Sequence, residues 1–235
     1  MYLRQKLATA AALAIFVLPA PAAMAAQDDL KSVLDRLTVA ANGFHSLAAD
    51  VEYDTVVTDP VPDTDVQKGV VYYDRKPGGV SMGVHFSSHN GQPTAKSYTY
   101  IDGTFRLFEP NVNQVTTHTG AAKFESYVVL GFGASGRDLE AKWDIKYLGS
   151  EVMSDGKSAV KAAKLELVAK DPAVRKTVTK VVIWVDPDRA VSLKQVFTLN
   201  ASTWVCTYSN FKLNQTLPAD AFTFKTDRKT VFQNQ

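Results

Sequence analysis

The stretch 97–118, SYTYIDGTFRLFEPNVNQVTTH, decides the fold class, because apolar and aromatic side chains recur in it at every second position. This period is that of a half-buried β-strand, and its clearest members are Tyr98, Tyr100, Phe105 and Leu107. Asp102-Gly103 favours a two-residue hairpin turn, and residues 109–111, Glu-Pro-Asn, favour a second turn. The stretch therefore predicts three short antiparallel strands in a meander.

The same alternation continues on both sides of the meander and predicts eight further strands. They span residues 47–55, 67–74, 80–86, 143–148, 159–169, 177–185, 191–199 and 204–211. One face of the long strands is apolar and the other carries lysine and glutamate, so one face is expected to lie on the core. The pattern predicts a single curved antiparallel sheet of about eleven strands. No repeat or linker interrupts this pattern, so we predict a single domain that spans residues 26–235.

Helical periodicity is confined to two regions. Apolar residues from Leu30 to Ala48 follow the i, i+3, i+4, i+7 rule, and Asn42-Gly43 is suited to end or bend the helix before Phe44. Between residues 120 and 142 the alternation lapses, which predicts one or two short helices. The fold class is accordingly α+β, mainly β, with helices available to cover an apolar sheet face.

The first 25 residues have the pattern of a cleaved signal peptide. Arg4 and Lys6 precede an apolar run at residues 7–17 that is too short to span a bilayer, and Ala23-Met24-Ala25 fits the cleavage site. We therefore expect cleavage after Ala25 and export of the protein.

Composition excludes several classes of function. Without Arg4 and Lys6 the 26 basic side chains become 24, equal to the 24 acidic ones, and a formal charge of zero argues against nucleic acid as a partner. Cys206 is the only cysteine, so no intramolecular disulfide forms, and its strand-like surroundings predict a buried apolar role.

Three motifs could indicate chemistry, and none has the required context. Residues 131–136, GFGASG, match a dinucleotide fingerprint, but no helix long enough for a βαβ crossover follows. Residues 154–157 match S-x-x-K, yet Asp155-Gly156 indicates a hairpin turn. His85 and His89 would share a face only in a helix, and they lie in a predicted strand and loop. We expect no enzyme, no cofactor and no metal.

The order and spacing of several short motifs resemble the LolA-type periplasmic carriers of outer-membrane lipoproteins. The motifs are DLKSVLDR at 29–36 followed by FHS at 44–46, GVVYYDRKP at 69–77, IDGT at 101–104 with FEP at 108–110, and YSNF at 208–211 with LP at 217–218 and FTF at 222–224. The resemblance implies an incomplete β-barrel, closed by an N-terminal helix and short mid-chain helices, that works without catalysis in the periplasm as a chaperone.

By the same resemblance, an apolar cavity accepts the acyl chains of lipoproteins and carries them from the inner to the outer membrane. The implied partners are acylated lipoproteins and an inner-membrane ABC transporter that releases them, with an unidentified outer-membrane acceptor, and we expect a monomer. Residues expected on the cavity face are Val51, Tyr53, Val71, Tyr73, Phe105, Leu107, Leu165, Ile183, Leu193 and Phe197.

In that family an arginine at the end of the second strand, just before a proline, latches the lid helices by hydrogen bonds. Counting from Gly69 assigns this place to Arg75, whereas counting back from Pro77 assigns it to Lys76. A lysine lacks the planar fork of donors of arginine, so Arg75 is the better candidate.

Other functions stay open at this stage. The same fold serves, by resemblance, as a binding or sensing module for another lipid or glycolipid. A periplasmic hydrolase would need Ser154 or His118 for activity, and a purely structural envelope protein would carry no exchangeable ligand.

Overall fold

The computed structural model describes residues 29–59, 61–76, 79–120, 125–128 and 130–235, so the predicted signal peptide at 1–25 lies outside the described residues. The helices are α1 (Leu30–Asn42), α2 (Glu125–Val128), α3 (Gly136–Lys142) and α4 (Pro172–Arg175). The strands are β1 (Ser46–Val57), β2 (Asp63–Lys76), β3 (Gly79–His89), β4 (Gln92–Ile101), β5 (Thr104–Glu109), β6 (Gln114–His118), β7 (Trp143–Ser154), β8 (Ala159–Ala169), β9 (Val178–Asp186), β10 (Val191–Leu199), β11 (Thr203–Leu213) and β12 (Val231–Asn234).

All twelve strands form one sheet in the order β12-β6-β5-β4-β3-β2-β1-β11-β10-β9-β8-β7. The sheet is not closed, because β12 and β7 are free edges, and the incomplete barrel predicted from the sequence is confirmed. Strands β1 to β11 correspond to the eleven predicted strands. The twelfth, β12, was missed because Val231-Phe232 is too short an apolar run, and it pairs in parallel with β6 in an otherwise antiparallel sheet.

Tight turns set the register of the central meander. Asp102 and Gly103 adopt φ values of 48° and 75°, which the β4–β5 hairpin requires. The β3–β4 hairpin uses Asn90-Gly91 in the same way, with φ values of 47° and 77°. This Asn-Gly pair is a strong hairpin signal, and reading it would have extended both predicted strands to their observed ends.

Helix α1 forms where the apolar period predicted it. The side chain of Asp29 caps its first turn by accepting a hydrogen bond of 2.7 Å from the backbone N–H of Ser32. Its buried residues are Val33, Leu34, Leu37 and Ala41. Arg36 pairs with Asp188 in the β9–β10 turn at 2.8 Å, which places the helix over that part of the sheet.

The face of the sheet that carries Val51, Val71 and Tyr208 is called the inner face. On its β8–β10 side, Leu165, Ile183 and Leu193 are fully buried in the same core cluster as the apolar residues of α1. Burial of this size stabilises a fold by about 1.5–3 kcal/mol per large side chain. The helix therefore packs on the inner face as part of one core.

The segment after β11 crosses the outer face of the sheet. The ring of Phe224 stacks on that of Phe108 at 5.0 Å, and His85 Nε2 lies 3.0 Å from the carbonyl oxygen of Ala221. Gly83 lies directly beneath, where a Cβ would stand 1.9 Å from the Ala221 oxygen. A glycine on β3 thus permits this close crossing. No described helix has the length and apolar character needed to cross a membrane.

Asp155 holds the β7–β8 turn against the β9–β10 turn. Its carboxylate accepts hydrogen bonds from the backbone N–H groups of Ser158 at 2.8 Å and Lys157 at 2.9 Å, and from Arg189 Nη1 at 2.9 Å. These donors stabilise the charged form and hold the pKa of Asp155 at about 2, below its ordinary value of 3.8. The S-x-x-K match is therefore part of a structural turn, as Asp155-Gly156 predicted.

Replacing this buried carboxylate tests the pH dependence of stability. Because folding depresses the pKa of Asp155, its carboxylate contributes about 2 kcal/mol to the free energy of unfolding. This contribution is complete above about pH 4 and disappears as the pH falls through about 2. Asp155→Asn should lower the free energy of unfolding at pH 7 by about 2 kcal/mol and flatten its change between pH 4 and pH 2. Urea titration at each pH measures both effects. Asp188→Asn, which breaks an exposed ion pair, should lower stability by less than about 1 kcal/mol.

Candidate functional site

Part of the inner face encloses a cavity of about 690 Å³. This volume lies within the range of about 300–1,000 Å³ common to small-molecule sites. The sheet and two lid residues form most of the wall, and nearly all their side chains are apolar or aromatic. They are Val51, Tyr53, Val71, Met82, Val84, Phe86, Tyr100, Phe105, Val178, Phe197, Trp204, Cys206 and Tyr208 from the strands, and Tyr127 and Phe132 from the lid.

The polar atoms in this wall are neutral or already paired. Gln195 donates to the carbonyl oxygen of Leu130 at 2.5 Å and accepts from the hydroxyl of Tyr208 at 3.2 Å. Burial raises the pKa of the Cys206 thiol to about 12 and also raises the pKa of Tyr53 and of Tyr208. At neutral pH the thiol and both phenols are therefore protonated. This wall therefore offers an apolar surface and no thiolate nucleophile.

One side of the cavity opens to solvent. The lining residues there are polar or small and exposed, and they come from the end of β6, the start of β9 and the C-terminus: Thr119, Gly120, Thr177 and Gln235. His118 is half-buried beside them. A ligand can therefore enter between β6 and β9.

The lid over the cavity begins with residues 130–136. The Ser192 N–H donates to the Gly131 carbonyl oxygen at 2.6 Å, and the Gly133 N–H donates to that of Ala190 at 2.8 Å. A Cβ on Gly131 would meet Ser192 Oγ at 1.8 Å, and one on Gly136 would meet the Leu34 carbonyl oxygen at 2.3 Å. The glycines of the GFGASG segment thus permit close packing on β10 and α1, which explains the pattern without a dinucleotide.

Helix α2 continues the lid. The hydroxyl of Tyr100 on β4 donates to Glu125 Oε2 at 2.9 Å, and the ring of Tyr127 packs on those of Trp143 and Phe197 at 5.2 and 6.2 Å. Burial, and then the Glu125 carboxylate, raise the pKa of Tyr100 to about 12, so the donor stays protonated. The sequence does not predict the contact between Tyr100 and Glu125, because no local pattern links residues 25 positions apart.

Five of the ten residues predicted on the cavity line it, namely Val51, Tyr53, Val71, Phe105 and Phe197. The other five do not. Leu165, Ile183 and Leu193 are fully buried in the core cluster that includes the apolar residues of α1, and Tyr73 is buried against the rings of Phe44 and Phe132. Leu107 is half-buried on β5 outside the cavity. These five share the predicted face, but a period of two cannot tell which part of a face a helix covers.

The two latch candidates lie on opposite faces of β2. Arg75 follows Val71 and Tyr73 on the inner face. Burial raises the pKa of the Tyr73 phenol to about 12, and the nearby charge of Arg75 offsets part of this rise. The charges of Glu125 on α2 and Asp138 on α3 also act on this phenol. Lys76 is exposed on the outer face and pairs with Asp74 at 3.0 Å. Within the described residues, the Arg75 guanidinium makes no hydrogen bond to the lid.

The histidine pair is separated by the sheet. His85 lies on the outer face opposite Val70, whereas His89 lies on the inner face opposite Gln67, because a bulge after Phe86 shifts the register. Within the described ranges, no three histidine, cysteine or acidic side chains converge in a way that could hold a metal ion.

No protein-family model matches the sequence, and a search of curated proteins finds no relative. Several solved structures share the fold. An uncharacterized conserved protein from Thermus thermophilus is 13% identical with a TM-score of 0.51, covering 87% of this chain and 98% of its own. MucB is 12% identical with a TM-score of 0.50, covering 86% of this chain and 65% of its own.

A LolA superfamily protein from Nitrosomonas europaea is 17% identical with a TM-score of 0.40, covering 83% of this chain and 97% of its own. The incomplete β-barrel that the sequence resemblance implied is shared with the Thermus thermophilus protein and MucB. At these identities the likeness shows the fold alone.

The contact between Gly133 and Phe44 tests whether the lid is rigidly packed. A Cβ on Gly133 would stand 2.3 Å from the Phe44 ring, which is itself buried against Tyr73. Gly133→Ala should therefore lower the free energy of unfolding by about 1–3 kcal/mol more than Gly91→Ala does. Gly91 is the matched control, since it also has positive φ but open space around it. Equal losses in denaturant titrations would contradict this packing.

Proposed function

We propose that this protein is a non-enzymatic periplasmic carrier that binds the acyl chains of lipoproteins in the cavity and shuttles them from the inner to the outer membrane. The observation that carries the proposal is the largely apolar cavity of about 690 Å³, enclosed by the sheet and a helical lid and open on one side. Such a site excludes water from a chain without offering groups for covalent chemistry.

The energetics of acyl chains support a carrier. Each methylene group exposed to water costs about 0.8 kcal/mol, so three chains of roughly 15 methylenes would cost on the order of 36 kcal/mol in open water. Non-covalent affinity saturates near about 20 kcal/mol. A carrier therefore has to cover the chains only in part, and a cavity open on one side satisfies this requirement.

The proposal includes a donor, an acceptor and a latch. An inner-membrane ABC transporter would supply the acylated lipoprotein, and an outer-membrane acceptor would receive it. Arg75 would latch the lid, because its guanidinium, Glu125 and Asp138 all act on one buried phenol, that of Tyr73.

Filling the cavity should abolish ligand binding. Val84 lines the cavity from β3, and Val84→Trp places an indole where at least two methylenes would otherwise fit. We expect the affinity for a fluorescent long-chain fatty acid to fall at least about tenfold. Val152→Trp adds the same side chain at a position that is 75% exposed and should leave the affinity unchanged.

Carrier activity itself requires a release assay. Mature protein, residues 26–235, is added to spheroplasts that bear a labelled triacylated lipoprotein and a cognate transporter. Soluble label bound to the wild type but absent with Val84→Trp would support the shuttle. Fatty-acid binding without release would redirect the proposal to another lipid, which mass spectrometry of the protein purified from its own cells would identify.

Removing the latch should speed ligand exchange. Arg75→Leu deletes the guanidinium, and we expect displacement of bound fluorescent fatty acid, followed by stopped flow, to become about three- to tenfold faster. Lys76→Leu, at the neighbouring position on the outer face, is the matched control and should leave the rate unchanged. Equal rates for Arg75→Leu and wild type would rule out Arg75 as the latch.

A further inference from the structure

A second concavity of about 260 Å³, which we call the polar groove, lies next to the cavity. Its lining includes Asp65, Gln67, His89, Lys96, Glu109 and Asn111. These side chains are polar, in contrast to the cavity wall. At about 30 Å³ per water molecule, the groove has room for eight or nine waters or for a small polar group.

Strand register places the groove and the cavity side by side on the inner face. Gln67 is directly opposite Tyr53 in the β1–β2 pair, and Lys96 is directly opposite Phe86 in the β3–β4 pair. Directly opposed residues have Cβ atoms about 5 Å apart. Tyr53 and Phe86 line the cavity, whereas Gln67 and Lys96 line the groove. One ligand can therefore occupy both.

Gln67 marks the groove as a binding site. It is only 9% exposed, it lines the groove, and its side-chain amide makes no hydrogen bond within the described part of the chain. The amide atoms themselves stay accessible to water in the groove, so a ligand that displaces this water has to replace its hydrogen bonds. The amide can both donate and accept, so it suits a partner that does the same.

The charges of the groove disfavour an anionic ligand. Asp65 and Glu109 place two carboxylates in its wall. Lys96 is the one lysine or arginine among the described lining residues, and it already lies 3.5 Å from Glu109 and over the ring of Tyr98. Asp65 is in contact with His89. A phosphate would find no free cation here, whereas amide and hydroxyl groups could bond to Gln67 and Asn111.

We infer that the polar groove holds the uncharged, hydrogen-bonding head of an acylated ligand whose chains fill the cavity, with Gln67 pairing to an amide or hydroxyl of that head. This inference rests on the proposed binding of acyl chains. The shared chemistry has two sources, the peptide amides of a lipopeptide and the hydroxyls of a glycolipid.

The test compares ligands with the same two palmitoyl chains and different heads. A dipalmitoylated cysteinyl-diserine amide with a blocked amino terminus, a dipalmitoyl galactosylglycerol and dipalmitoyl phosphatidylglycerol each compete with a fluorescent fatty acid. We expect at least one neutral head to bind more tightly than the phosphate head, and the tighter of the two identifies the source. A phosphate head that binds as tightly as both neutral heads would overturn the inference.

Gln67→Met keeps the length of the side chain and removes its amide. We expect this substitution to lower the affinity for the preferred neutral ligand about three- to tenfold and to leave the affinity for the fatty acid unchanged. Gln233→Met, on the exposed strand β12, is the control and should change neither value. Unchanged affinity of Gln67→Met for that ligand would overturn the role of Gln67. Failure of the wild type to bind the fatty acid at all would instead reject the proposed function.

Discussion

The packing of residues 130–136 directly against α1 is the constraint on which the rest of the structure depends. Gly133 against the ring of Phe44, and Gly136 against the backbone of Leu34, leave no space for a Cβ, so the lid lies directly on the helix. Protein interiors are close-packed, so these contacts fix where the lid lies. Beside this packed region, β1–β5, β11, the start of β9 and the end of β10 enclose the cavity, which Tyr127 and Phe132 cover.

In the described part of the chain, the wall of the cavity has no thiolate or phenolate and no unpaired buried amide, and close packing is again the reason. Burial keeps Cys206, Tyr53 and Tyr208 protonated, and the one buried amide in the wall, Gln195, has partners for both its donor and its acceptor. A ligand then gains mainly from removing apolar surface from water, which is non-directional and reversible. Reversibility is what a carrier needs, since it has to release what it binds.

A single sheet face that changes from apolar to polar along its strands suits an amphiphilic ligand. The change occurs within one residue pair on β1–β2 and one on β3–β4, so the positions of the cavity and the polar groove are fixed relative to each other by backbone hydrogen bonds. Chains and head would therefore be recognised together. The amide of Gln67, which has no hydrogen-bond partner within the described residues, lies at this boundary, next to Tyr53.

Local patterns in the sequence determined the eleven antiparallel strands, the first helix and most turns, because alternation, capping and positive-φ residues act over a few positions. The Asn90-Gly91 pair is a signal of the same kind, so the β3–β4 hairpin is also predictable from the sequence. The sequence also determined which face is apolar, but not which part of it is open. Val51 and Leu193 share that face and a period of two, yet only Val51 lines the cavity. The tertiary structure alone decided this, along with the parallel strand β12 and the Tyr100–Glu125 contact, since each depends on where distant segments pack.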